Sequence, residues 1–199
     1  GHNLAGQIKD ELWVDHEILE RENLMAFFQD VVRNYVIQAF CQMEPFEKQK
    51  HLEEEWYTQM LSMWIISQKD NEYNPCHIHT DCAVSSVMYL KVPEFLPSTK
   101  AERDDDGCIV FIGSAAPENR FTRQQLKVKP VPGDFLMFPA HQIHSVYPFR
   151  TKDGKGERRS VSYNADFMSK QAYEDANHPE NRMANAHAKG MKQSNDPAL

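Results

Sequence analysis

The sequence predicts a mainly β protein, a double-sheet jelly roll or small barrel preceded by helices. Three observations carry this. From residue 61 to about 167, short runs rich in Val, Ile, Phe and Tyr alternate with Asn, Pro, Gly and Asp, and eight such runs can be read. No helical periodicity interrupts them, which argues against a parallel α/β fold. Before residue 61 the apolar spacing is three to four, the period of a helix.

The elements follow in order. Residues 18–43 contain no Gly or Pro, and Leu24, Phe27, Phe28, Val31, Val32, Tyr35, Val36 and Phe40 make one broad apolar stripe. One helix is expected there, packed on the back of a sheet, with Pro45 closing it. A second, more charged helix is expected over 45–55. The strands are expected at 61–68, 75–79, 84–92, 107–113, 125–130, 133–138, 143–148 and 158–166. Two loops stand out, the Pro-rich then acidic 93–106 and the charged, Gly-punctuated 149–157. The run Asp104, Asp105, Asp106 could bind a hard cation, but such a run more often lies in a solvated loop. The tail from residue 169 reads as short helix plus disorder. The chain thus divides into an N-terminal helical segment (1–60) packed on the roll, a β domain (61–167) and a polar tail (168–199).

Composition narrows the functional classes. The 22 Lys and Arg against 29 Asp and Glu leave a net charge of −7, so no basic excess exists for a fold-wide phosphate-binding face, and no nucleic acid is expected as partner. No apolar stretch approaches the roughly 18 residues of a membrane span. Cys41, Cys76, Cys82 and Cys108 form no CxxC pair, which suits free thiols in a reducing, cytoplasmic setting. No signal peptide is visible. The first residue is Gly1 rather than Met, which reads as an internal cut or an added residue. A homo-oligomer stays open.

Chemistry concentrates in two histidine groups, Cys76-His77-Ile78-His79-Thr80-Asp81 and His141-Gln142-Ile143-His144. Alternate residues of a strand share a face. If extension continues through Thr80, His77, His79 and Asp81 all point inward. An imidazole and a carboxylate two residues apart can clasp one metal, and His144, from a later strand, is the natural third ligand of a 2-His-1-carboxylate site. His141, next to Pro139, suits a turn and a rim position. On the last strand Arg158, Ser160, Ser162 and Asn164 share one face, and Arg159, Val161, Tyr163 and Ala165 the other. An arginine-led polar face turned inward suits a small carboxylate ligand.

His79-x-Asp81, then His144, then Arg158-x-Ser160 resembles the 2-oxoglutarate/Fe(II)-dependent oxygenase superfamily. The wider pattern (HIHTD, SSVMYLKVP, GCIVF, PGDFLMFPAHQIHSVYP, GERRSVSYNADF) is similar to the oxygenases of marine phages and bacteria, over about residues 61–167. The resemblance implies a double-stranded β-helix with N-terminal supporting helices. It implies Fe(II) chelated by 2-oxoglutarate, whose distal carboxylate pairs with Arg158 and Ser160 and is within reach of Tyr89. Oxidative decarboxylation of 2-oxoglutarate by dioxygen would be coupled to hydroxylation of an unknown small-molecule or peptide substrate. The expected ligands are His79, Asp81 and His144, because a carboxylate suits a hard divalent iron. His77 is the alternative to Asp81, since in the phage-like relatives HxH is the steadier element and the position matching Asp81 is often small.

Two other readings remain at this level. A cupin-type metalloenzyme also carries HxH and a PGDFLMFPAHQIHSV-like motif, but usually has a glutamate four or five residues after HxH, where this chain has Ala83 and Val84. A non-catalytic binding domain on the same fold is the third. Trp64 and Tyr73 could line a pocket, with core packing the plainer role for Trp64. Loops 93–106 and 149–157 could cover its mouth.

Overall fold

The computed structural model describes residues 8–99, 102–113 and 125–178. Among the described residues there are nine strands: β1 (Asp10–Trp13), β2 (Trp56–Lys69), β3 (Asn74–His77), β4 (Val84–Lys91), β5 (Ile109–Ile112), β6 (Gln125–Val128), β7 (Phe135–Pro139), β8 (His144–Val146) and β9 (Glu157–Ser169). They form a five-stranded sheet in the order β1-β2-β9-β4-β7 and a four-stranded sheet in the order β3-β8-β5-β6. Every pairing whose register is resolved is antiparallel. The fold is the expected mainly β jelly roll.

The core lies between the two sheets. Val87 and Tyr89 of β4 and Phe138 of β7 meet Ile109 of β5, flanked by Phe111, Val128, Leu136 and Val146. Alternation explains the choice of residues: Val87 and Tyr89 are two apart on one strand and so share the inner face.

The chain forms two compact units. One contains the residues up to Phe28 together with Met60–Asp166; the other contains Gln29–Gln59 and the residues from Phe167. In the first unit, α1 (His16–Arg21) starts at Asp15, whose side chain accepts from the Glu17 N–H. It stops where Asn23 takes the left-handed conformation, φ 55°. The helical periodicity runs on through this break, so the single helix expected over 18–43 is two, the second being α2 (Leu24–Met43). Phe28 of α2 packs edge-on against Tyr163 and Phe135, with centroids 5.2 and 6.4 Å away. Phe28, Val32 and Val36 are buried while Leu24 and Phe27 stay exposed, so the apolar stripe is narrower than the sequence suggests.

In the second unit, a 3₁₀ turn (Pro45–Glu47) leads into α3 (Lys48–Glu53). The Phe40 ring stacks on both Trp56 and His51. Ser169 caps α4 (Lys170–Asn177) by accepting from the Ala172 N–H. The tail expected to be disordered lies, beyond residue 178, outside the described residues.

β1 is unforeseen. Its residues do not alternate, and Leu12 and Trp13 are exposed. It forms the sheet's edge by pairing Asp10–Trp13 with residues 64–67 of β2. The acidic run is no open cation cradle. Asp105 is buried and held by Arg103 and Lys127, each at 3.0 Å, Asp104 pairs with Lys129, and Arg150 lies 3.9 Å from Asp106. All four cysteines are free, Cys41 and Cys108 buried and Cys76 exposed. Among the described residues no helix is long and apolar enough to cross a membrane.

Glu157 ties three strands together at the base of β9. Its carboxylate meets Arg159 at 2.8 Å, Lys91 of β4 at 3.1 Å and Lys69 of β2 at 3.2 Å. Arg159, then Lys91, pull its pKa from 4.5 down to about 2. A carboxyl depressed in the folded state stabilises above its unfolded pKa, and that stability is lost as pH falls through the folded value. The stability gap between wild type and Glu157→Gln should therefore be widest above about pH 4.5 and close toward pH 2. Urea melts across this range test it; a gap that stays constant would show that the cations do not act through the carboxylate.

Gly107 marks a second tight spot. Its φ is +72°, and a Cβ there would collide with the Phe95 ring, which itself stacks on Phe149. Gly107→Ala should cost about 1–3 kcal/mol, from left-handed strain and ring displacement together. A wild-type urea midpoint would mean that neither the Phe95 ring nor the left-handed backbone resists the added methyl.

Candidate metal and carboxylate site

β3 and β8 bring the two histidine groups together. His77 sits directly opposite His144, and Asn74 opposite Val146. Three steps on β3 thus match two on β8, which is a bulge. The extra residue resets the alternation, so Asn74 and His77 share the inner face although they are three apart. His79 lies just past the strand end and is fixed through its backbone, its N–H donating to the Ala140 carbonyl at 2.8 Å.

The three imidazoles converge. Each of His77, His79 and His144 offers a ring nitrogen within 4.8 Å of the others. Ring centroids are 4.2 Å apart for His77 and His144, 5.4 Å for His77 and His79, and 5.3 Å for His79 and His144. Two rings are held by main chain. Nδ1 of His77 lies 2.8 Å from the Pro75 carbonyl, and Nδ1 of His144 lies 2.8 Å from the Gln142 carbonyl. A carbonyl only accepts, so Nδ1 carries the proton and Nε2 keeps its lone pair for a ligand. Burial, then repulsion from His144 and His77, lowers the His79 pKa to about 4; burial does the same for His144. Neutral imidazoles with free lone pairs fit a divalent first-row metal.

Asp81 does not join this group. Extension stops at His77 in β3, Asp81 is exposed, and its φ of 58° belongs to a left-handed turn. Alternation therefore cannot carry the inner face from His79 to Asp81. His141 is an exposed turn residue, also outside the group.

The same cavity, about 40 Å³, reaches from the histidines to Arg158, Ser160, Ser162 and Tyr89. The strand parity holds: Arg158 is 4% exposed and Ser160 3%, whereas Arg159 is exposed. Ser160 is the register partner of Tyr89. The Arg158 guanidinium lies 5.5 Å from the Tyr89 ring centroid. It donates through Nη1 to the Gly107 carbonyl at 2.5 Å and through Nη2 to Gln68 Oε1, while its buried Nε has no partner. None of these partners is an anion, and among the described residues lining the cavity none is acidic. Burial pulls the guanidinium pKa down. A buried cation with an orphaned donor and no countercharge fits a carboxylate ligand. Tyr89 stays protonated, its pKa pushed up to about 12 by burial, and can donate to the same group.

Sequence reasoning missed three contributors. Gln68 is fully buried, and its amide Nε2 donates to the Glu72 and Tyr147 carbonyls, which aims Oε1 at Arg158. Its parity with Trp64 and Ile66 on β2 was the available signal. Ile8 of the N-terminal arm walls the cavity with Trp64 and Ile66. Asn74 lines it too, through a bulge that no sequence pattern announces.

The match to a protein family agrees with this chemistry. Residues 62–164 match the family described as "Putative 2OG-Fe(II) oxygenase". No curated protein matches the sequence. Among solved structures, a 2OG-Fe(II) oxygenase family oxidoreductase from Burkholderia pseudomallei aligns with 18% identity and a TM-score of 0.40, over 55% of this chain and 44% of that one. A prolyl-4-hydroxylase from Pseudomonas putida aligns with 16% identity and a TM-score of 0.40, over 82% and 76%. The viral collagen prolyl hydroxylase of Paramecium Bursaria Chlorella virus-1, in complex with 2OG, aligns with 15% identity and a TM-score of 0.44, over 82% of each chain. The alignment thus spans under half the length of the Burkholderia protein. The family match covers just over half of the 199 residues, including all three clustered histidines and Arg158. This chain belongs to the 2OG-Fe(II) oxygenases, whose cofactors are Fe(II) and 2-oxoglutarate.

Proposed function

We propose that the protein is a dioxygenase that couples oxidative decarboxylation of 2-oxoglutarate to hydroxylation of a small-molecule or peptide substrate. His77, His79 and His144 hold the metal, and Arg158, with Ser160 and Tyr89, holds the distal carboxylate of 2-oxoglutarate. The observation that carries this is Arg158: a buried guanidinium without a countercharge, in the cavity that the three histidines share.

When bound, Fe(II) supplies the redox chemistry by which one oxygen atom of O₂ enters succinate, with loss of CO₂, and the other enters the substrate. The chain's own residues hold and orient. Main-chain carbonyls fix two imidazoles with Nε2 free. With neutral ligands all round, the charge of the divalent ion is met by the bound dicarboxylate rather than by a protein carboxylate. Arg158 is held in place by Gly107 and Gln68, so its remaining donor is preorganised for an oxygen. Phe138 and Phe111, 4.8 and 6.1 Å from His144, keep that side of the site dry.

Three measurements test the reading. Purified protein supplied with Fe(II), ascorbate and 2-oxoglutarate should release succinate; no succinate above a metal-free control would sink it. By calorimetry, Arg158→Ala should weaken 2-oxoglutarate by roughly 30-fold or more, the loss of a charge-assisted pair, while Arg159→Ala stays within about threefold. Equal losses would place the carboxylate elsewhere. His77→Ala, His79→Ala and His144→Ala should each lower Co(II) affinity on the order of 100-fold, and Asp81→Ala should leave it near wild type. A loss confined to Asp81→Ala and the His79 and His144 variants would restore the carboxylate as third ligand.

A further inference from the structure

The end of the roll away from Arg158 has a polar floor of its own. On β9 the residues two apart, Arg158, Ser160, Ser162, Asn164 and Asp166, share the inner face. The first three line the cavity already described. Asn164 lies about 20 Å along the strand from Arg158, past the reach of a five-carbon diacid held by that arginine.

The His79 ring stands over this floor. It lies 6.0 Å from Trp64 of β2 and 6.3 Å from Phe138 of β7. β9 and β4 run between those two strands. Phe138 is the register partner of Ser85, and Ser85 is the register partner of Asn164. Main-chain bonds tie the level together. The His79 N–H donates to the Ala140 carbonyl, the Ala140 N–H to Ala83, and the Ala83 N–H to Ala165, which sits between Asn164 and Asp166.

Two atoms of the floor have no partner. Ser85 is fully buried with its Oγ unbonded, and Asn164 Oδ1 is likewise buried and unbonded. Register partners on one face stand about 5 Å apart, close enough for one ligand group to meet both. Buried polar groups are nearly always paired. An amide oxygen only accepts, and a serine hydroxyl accepts as well as donates. The charge at this end has the same preference. The segments 79–85, 136–144 and 162–166 hold two carboxylates, Asp81 and Asp166, and neither Lys nor Arg. Asp166 is partly buried and Asp81 exposed at the rim. Among the described residues neither carboxylate has an ion-pair or hydrogen-bond partner. Both lie near the Cys82 thiol, whose pKa is raised by burial first and then by these two charges.

We propose that Ser85, Asn164 and Asp166, with Asp81 at the rim, bind a protonated nitrogen of the substrate, the ammonium or guanidinium of a basic side chain or a small amine. This rests on the functional reading above and adds the chemical class of the substrate. Arg158 takes the dicarboxylate at one end of the roll, and the acceptors take a cation at the other. Opposite charge at the two ends keeps each molecule out of the other's place. The net charge of −7 favours the approach of a cation.

The test uses the full chain loaded with Zn²⁺ and saturated with 2-oxoglutarate. The probes are Nα-acetyl-lysine methylamide, its neutral norleucine analogue and free pentylamine, titrated by NMR of the backbone amides. The lysine amide should bind at least about 10-fold tighter than the norleucine amide. Asp166→Asn should weaken it about 10-fold and Asn164→Ala about fivefold, with 2-oxoglutarate affinity within about threefold of wild type in both. Pentylamine binding as tightly as the lysine amide supports a small amine as the source of the cation; weaker pentylamine supports a peptide. If the lysine amide binds no better than the norleucine amide, or both variants bind it as wild type does, the proposal falls while 2-oxoglutarate binding leaves the function intact. If wild type binds no 2-oxoglutarate, the functional reading falls and takes this one with it.

Discussion

A guanidinium buried without a countercharge is the constraint around which the interior is organised. Desolvating Arg158 is costly, and the fold recovers only part of the cost through the Gly107 carbonyl, the Gln68 amide oxygen and the face of Tyr89. Each partner makes its own demands. Gly107 must sit in a left-handed turn under the Phe95 ring, which in turn stacks on Phe149. Gln68 must be fully buried and clamped by two carbonyls. Removing any of these leaves a charge with less support, so the arrangement is coherent chiefly when an acid occupies the cavity.

Much of this was legible in the sequence because strands have a strict period. All eight expected strands are present within a few residues of their expected ends. The inward face of β9 was readable from Arg158, Ser160 and Ser162 alone, and the exposure of Arg159 follows from the same alternation. What failed was what alternation does not encode. β1 is four residues without pattern, held by backbone pairing on an exposed edge. The break at Asn23 lies inside an unbroken helical period.

The histidine group shows the same limit at closer range. Parity extended from His77 through His79 suggested Asp81 as the next inward residue. The strand had already ended, and a left-handed turn at Asp81 replaced the pleat. Conversely, the bulge between Asn74 and His77 put two residues of opposite parity on one face. Both departures depend on how β3 meets β8, a long-range pairing that no local window contains.

The orientation of His77 and His144 has a consequence for how such a site can change over generations. In many metal sites the ring is steered by a neighbouring carboxylate, and a single substitution of that neighbour releases it. Here the steering groups are the main-chain carbonyls of Pro75 and Gln142. Every amino acid supplies a carbonyl, so the side chains at these two positions are free to drift without untying the rings. Selection for ring orientation therefore falls on backbone shape, and the surrounding surface can diversify toward new substrates while the centre stays in register.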